Sequence, residues 1–323
     1  MTVRQRTSAR MSAVVGGGVW LVLVISTGVY NSFFRTIEQM LWLAVLVIVP
    51  LGLDIVVRAL AADSAVPLLR WALRLQPLAA ALAVGSFWLP VGVYAALAAL
   101  PWAAVCALMG AAGLVQLLAF RRWRVNPSRL LATGALTLLP VGGVALLQSR
   151  WGATPLGFSE PIVLLTAIHF HYTAFAGSIF AACLRLTLRG SSERRRAIFA
   201  PIAVALLAAS PLLALGWVLG IEVVKMAAVG VLTVSLLAIA GLTLIELRCL
   251  RPWPVQLLLA LAAISVIGGM LLAALYGLSE LTGNDWVTIP RMAHTHGLLN
   301  GLGFSLLGLT GWALWEPPAG KEQ

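Results

Sequence analysis

Long apolar stretches, separated by short polar or basic clusters, run the whole length of the chain. Crossing ~30 Å of hydrocarbon takes about 20 residues of helix, and inside a bilayer the backbone polar groups must be satisfied within the helix itself. The pattern predicts ten spans, at 11–30, 39–60, 75–90, 92–120, 130–148, 161–187, 197–219, 222–246, 254–281 and 291–315. Pro90 and Pro101 both interrupt the stretch 75–120, and a helix break is expected at one of them. Connections are short, so any chemistry must lie among the helices or at their ends. The expected architecture is an all-α polytopic transmembrane bundle, a single integral membrane domain over 1–323 with no soluble domain.

Composition agrees with this pattern: 61% of residues are hydrophobic and only 10% charged, against about a quarter charged in soluble domains. A net charge of +11 would suit a nucleic-acid partner, but the basic residues cluster between apolar runs. With a cytoplasmic N-terminus, eighteen of the 22 fall on inner segments, including Arg58, Arg121, Arg122, Arg124, Arg189 and Lys321. Only Arg35, Arg150, Lys225 and Arg291 fall outside. That bias is the positive-inside rule, and it predicts both termini in the cytoplasm of a bacterial inner membrane with no nucleic acid bound. The basic head and apolar body of MTVRQRTSARMSAVVGGGVWLVLVIST resemble a signal peptide, but no A-x-A-like cleavage site follows, so a retained first helix is expected.

All four histidines stand in two His-x-His pairs, His169/His171 and His294/His296, inside runs that otherwise look lipid-buried. Ionisable groups in a membrane core are costly and mark functional sites. At 1.5 Å per residue, the first pair lies ~12–15 Å past Pro161 and the second ~6–9 Å past Pro290, both from the outer side. The pairs can therefore share one pocket if the sixth and tenth helices touch. Residues two apart on an α-helix point to opposite sides, so one histidine of each pair should face the pocket and the other a neighbouring helix. His296 shares a face with Asn300, while Gly297, Gly301, Gly303 and Gly308 would allow close helix approach.

Glu38, Glu160, Glu222, Glu280 and Asp285 fall at the same outer level. Glu222 is the strongest candidate among them, with Lys225 at i+3 as a local ion-pair partner. The candidate catalytic set is His169, His171, His296, Glu222 and Asn300, and His171, His296 and Glu222 could together hold a divalent metal ion. Asp54 with Arg58 is expected to be a structural ion pair, and Glu246 with Arg248 and Arg251 a solvated inner rim. Cys106, Cys183 and Cys249 are expected to be packing residues. Trp20, Trp42, Trp88, Trp151, Trp286 and Trp315 are expected to act as interfacial anchors. No Walker loop, dinucleotide fingerprint or rhomboid-like serine motif occurs.

The segments LLTAIHFHYTAFAG and MAHTHGLLNGLGFSLLGLTGW resemble the YndJ-like family of bacterial polytopic membrane proteins. The resemblance rests on His169, Phe170, His171 and Tyr172 in the first segment, and on His296, Gly297, Asn300, Gly303 and Phe304 in the second. It implies a shared site and supplies no substrate. The residues themselves suggest a membrane-embedded enzyme, of isomerase, cyclase or hydrolase type, acting on an apolar or amphiphilic small molecule such as a lipid or isoprenoid. The alternatives are a proton-coupled transporter and a non-catalytic metal- or haem-binding sensor or assembly factor.

Overall fold

A computed structural model of the chain describes residues 3–29, 32–57, 66–119, 126–188 and 191–315. Ten helical rods make up these residues, and no strand occurs among them. They are α1 (Val3–Thr27), α2 (Phe33–Ile55), α3 (Val66–Gly85), α4 (Val93–Ala119), α5 (Pro127–Trp151), α6 (Ile162–Thr187), α7 (Glu193–Leu219), α8 (Glu222–Glu246), α9 (Trp253–Thr282) and α10 (Ile289–Leu314). Among the described residues, nine of the rods are long and apolar enough to cross a membrane. The remaining rod, α3, carries Arg70 and Arg74 in its first half, so its apolar part begins only at residue 75. The break in 75–120 falls at Pro90, after a 3₁₀ turn at Ser86–Trp88, and Pro101 lies inside α4.

Helix ends follow local chemistry. Ser32 caps α2 by accepting the Arg35 N–H, Asn126 caps α5 through the Ser128 N–H, and the Glu160 carboxylate accepts the Leu164 N–H at the start of α6. At the far ends of α5, α7 and α9 the chain turns through Gly152, Gly220 and Gly283, all in the left-handed region that favours glycine. Neighbouring rods pack as antiparallel hairpins, α4 on α5 and α7 on α8 on α9. Helix α2 sits at the centre, with Trp42, Ile48 and Leu53 fully buried. Glycines allow the closest approaches: Gly16 faces the Leu46 backbone, Gly301 faces Met40, and Gly308 faces Phe180.

Two polar clusters tie the basic end of the bundle together, and the second differs from expectation. Asp54, 0% exposed, accepts from Arg10 Nε at 3.0 Å, while Arg10 also donates to the Ala313 carbonyl at 2.6 Å. The observed pair therefore joins α1, α2 and α10. The expected partner, Arg58, lies outside the described residues, as do Arg121, Arg122, Arg124, Arg189 and Lys321. Glu246 is buried rather than solvated, accepting from Arg195 at 2.5 Å and Ser191 at 2.8 Å. A carboxylate at a helix end can sink among neighbouring rods when a donor from the next connection follows it in.

Smaller corrections have the same origin in packing. Cys106 and Cys183 are buried, but Cys249 is exposed in the 3₁₀ turn after α8. Trp42 is a core residue, stacked on Trp88 at 5.1 Å, and Trp20 is buried with its indole N–H on the Gln39 carbonyl. Trp88, Trp151 and Trp286 are exposed near helix ends, as anchors are.

Candidate functional site

Helices α6 and α10 touch, and both depart from α-helical winding where they do. In α6, Phe170–Gly177 is a π-helical stretch; in α10, Ala293–Gly297 and Leu299–Leu307 are two more. Such wide turns concentrate at functional sites, because they redirect side chains from their α-helical bearings. Both His-x-His pairs fall in or beside these stretches. The contact is stitched by Phe180 against Phe304, with ring centroids at 4.7 Å, and by Tyr172, which packs near Gly301 and donates to the Met40 carbonyl at 2.7 Å.

One hydrogen-bond rule governs all four imidazoles. Each Nδ1 lies against a main-chain carbonyl: His169 on Leu165 and His171 on Ala167, both at 2.7 Å, His294 on Pro290 and His296 on Gly269, both at 2.8 Å. A carbonyl only accepts, so each Nδ1 carries a proton and donates it. In the neutral ring, Nε2 is then the lone-pair nitrogen.

The four rings differ at that second nitrogen. His171, 0% exposed, accepts there from the Trp102 indole N–H at 3.1 Å, its ring inclined only 20° to the indole. His294 meets Thr36 Oγ1 at 3.0 Å. His169 and His296 have no partner at Nε2 among the described residues, and both line one cavity of about 710 Å³. Each pair thus contributes one histidine to the cavity and one to a neighbouring helix, His171 to α4 and His294 to α2.

The cavity opens among the ends of α5, α6, α7, α8, α9 and α10 that lie opposite the basic end, and it is walled mainly by aliphatic side chains. Asn300 and Gly297 line it as well; Asn300 Nδ2 donates to the His296 carbonyl at 2.8 Å. Gly269 lies so close to Asn300 that a Cβ there would collide with its amide. Gly297 meets no neighbouring helix, so its expected role in close approach passes to Gly301, Gly303 and Gly308. Thr166 also lines the cavity, with its hydroxyl donated to the Ile162 carbonyl at 2.8 Å.

The carboxylates divide. Glu222 and Glu280 line the cavity, Glu222 at the first turn of α8 and Glu280 one helical turn after Tyr276 near the end of α9. Glu222 is 54% exposed and paired with Lys225, whose ammonium also sits 4.5 Å from the Trp217 ring centroid. Glu38 instead pairs with Arg35 at 2.8 Å, Glu160 caps α6, and Asp285 is exposed in the connection to α10. Among the described residues, no three histidine, cysteine or acidic side chains come together as a metal shell. His171 has both ring nitrogens engaged, and Glu222 is committed to Lys225, so the residues present do not fit the expected His171–His296–Glu222 ligand set.

Sequence reasoning missed the partners that decide these roles. Trp102 stands 69 positions from His171, and Thr36 stands 258 from His294. Gly269 and Pro290 act through main-chain oxygens, which leave no trace in side-chain identity.

A family model described as YndJ-like protein matches residues 39–304. The chain is also 27% identical over 157 residues to an uncharacterized membrane protein, YndJ, of Bacillus subtilis (strain 168). That alignment takes in 49% of this chain and 28% of the Bacillus protein. No solved structure matches the chain. With both histidine pairs inside the matched region, the chain belongs to the YndJ-like family of membrane proteins.

Proposed function

We propose that the chain is a membrane-embedded enzyme that moves a proton on an apolar or amphiphilic small molecule, in the inner membrane of a bacterium. The observation that carries this proposal is the pair of open Nε2 atoms, on His169 and His296, facing one largely aliphatic cavity of about 710 Å³. A cavity of this size falls in the range of small-molecule sites. Imidazole changes charge near neutral pH and suits general acid–base work.

The local bonds fit that task. When Nε2 takes a proton from a substrate, the Nδ1–H bond to Leu165 or Gly269 holds the ring in place and stabilises the imidazolium. The same ring can return the proton to a second atom, so an isomerisation or cyclisation balances without any co-reactant. The aliphatic wall lowers the polarity around the reacting centre, and Asn300 is held against His296 by its bond to the His296 carbonyl. Of the two histidines in the first pair, His169 is the base, because Trp102 occupies the His171 lone pair.

Transport is less well supported. Toward the basic end, the fully buried Phe180, Trp312 and Leu259 fill the space among α6, α9 and α10, and the open histidines lie in the opposite half.

The test compares organic extracts of cells making wild-type protein with those making His169→Ala or His296→Ala, by mass spectrometry and chromatography. The proposal expects a species that accumulates in both variants and is converted by purified wild-type protein. Identical extracts, with any bound molecule released unchanged from the wild type, would remove catalysis.

A further inference from the structure

The hydrogen-bond polarity of the cavity specifies the head of the molecule it takes. Two of the polar side chains lining the cavity are imidazoles that present an acceptor, not a donor, at their unpartnered nitrogen. His169 and His296 each offer a bare Nε2, since their one proton is spent on Leu165 and Gly269. The Thr166 hydroxyl has given its proton to Ile162, and Asn300 has given an amide hydrogen to the His296 carbonyl. Donors line the cavity as well: Lys225, already held by Glu222 and the Trp217 ring, the Gln148 amide near the end of α5, and the Tyr276 hydroxyl. Hydroxyls such as Thr173 and Ser210 serve in either direction, so the two imidazoles decide.

From this arrangement we propose that the cavity binds an amphiphile whose polar end is a hydrogen-bond donor, an alcohol or amine, with its apolar body along the aliphatic wall. A carboxylate or phosphate head would meet bare lone pairs unless each imidazole first took a second proton, which costs free energy in an aliphatic surround. A head with no donor would leave both Nε2 atoms desolvated and unpaired, which a site built for a hydroxyl strongly disfavours. The assignment rests on the site described under Proposed function, but it concerns recognition rather than turnover.

The test uses the full chain in lipid nanodiscs with a matched series of twelve-carbon probes: 1-dodecanol, its methyl ether and dodecanoate. The expected result is dodecanol binding roughly ten-fold or more tighter than the ether, the weight of one or two buried hydrogen bonds. Nitrogen-15 spectra of histidine-labelled wild-type protein should show two lone-pair nitrogen signals moving on addition of dodecanol, with the His171 signal still. Both single variants, His169→Leu and His296→Leu, should narrow the preference of alcohol over ether. The wild-type measurement stands even if a variant fails to fold. Equal binding of alcohol and ether, or tighter binding of dodecanoate, would overturn the assignment. Selective dodecanol binding by a protein that converts nothing would keep this assignment and remove the enzyme. Turnover of a substrate lacking any donor would do the reverse.

Discussion

Trp102 donates its indole N–H to His171 Nε2 at 3.1 Å, while the same nitrogen of His169, two positions earlier, has no partner among the described residues and opens into the cavity. Two histidines in one motif therefore have opposite work. His171 fastens α6 to α4, and His169 is free to meet a ligand.

Substitutions at the two positions should separate cleanly. His171→Ala leaves the Trp102 N–H buried without an acceptor, a loss of about 1–3 kcal/mol of stability. Trp102→Phe should cost a similar amount by removing the donor. Activity or ligand binding per folded molecule should persist in both. His169→Ala and His296→Ala should fold with near wild-type thermal stability and lose function by orders of magnitude. Thermal unfolding in detergent, with ligand binding measured on the folded fraction, checks the pattern; the reverse assignment of the two histidines would show as its mirror image.

Gly142 and Gly269 hold the histidines from behind. A Cβ on Gly142 would come within 2.7 Å of His171 Nδ1, and one on Gly269 would strike Asn300. Alanine at either position should destabilise by about 1–3 kcal/mol, the usual range for overpacking. Gly269→Ala should in addition disturb the His296 nitrogen signals, because the Gly269 carbonyl fixes that ring. Unchanged His296 signals in a folded Gly269→Ala protein would count against this anchoring.

Asp54 binds Arg10 across helices, so neutralising it should matter for stability. Hydrogen bonds to charged groups contribute about 1.5–3 kcal/mol, and the half-exposed Arg10 places this pair at the lower end. Asp54→Asn, Arg10→Met and the double variant form a cycle whose coupling term, read from unfolding curves, should exceed about 0.5 kcal/mol for residues in contact. Additive losses would mean the pair is incidental. Function per folded molecule should be untouched, since the pair lies at the end of the bundle opposite the cavity.

Glu222→Gln should have little effect on function. The carboxylate is 54% exposed at the rim and bound to Lys225, and surface ion pairs contribute about 0–1 kcal/mol. A loss of activity matching His169→Ala would instead assign Glu222 to the chemistry.

Sidedness follows from the arginine distribution and is open to direct measurement. A reporter fused after residue 315 should read as cytoplasmic, and one inserted at Gly283–Trp286 as external. The opposite result would turn the cavity toward the cytoplasm.

Much of this protein was legible without coordinates. Helix class and the rough placing of the rods follow from apolar length, because a bilayer leaves the backbone few other ways to satisfy its polar groups, but α1, α2 and α3 all begin several residues before their apolar runs do. The two histidine pairs stood out for the same reason, as costly residues in an apolar medium. Even the division of each pair, one inward and one across, follows from helical geometry. Which histidine goes where does not. That depends on Trp102, Thr36 and the Gly269 carbonyl, brought in from distant stretches of chain by packing, and on π-turns that change the bearing of each ring. Glu246 makes the same point: its nearest arginines in sequence, Arg248 and Arg251, predicted a solvated rim, yet Arg195 reaches it from another helix, as Arg10 reaches Asp54. Periodicity and burial cost act along the chain and can be read from it. Hydrogen-bond partnership between helices is settled only when the rods come together.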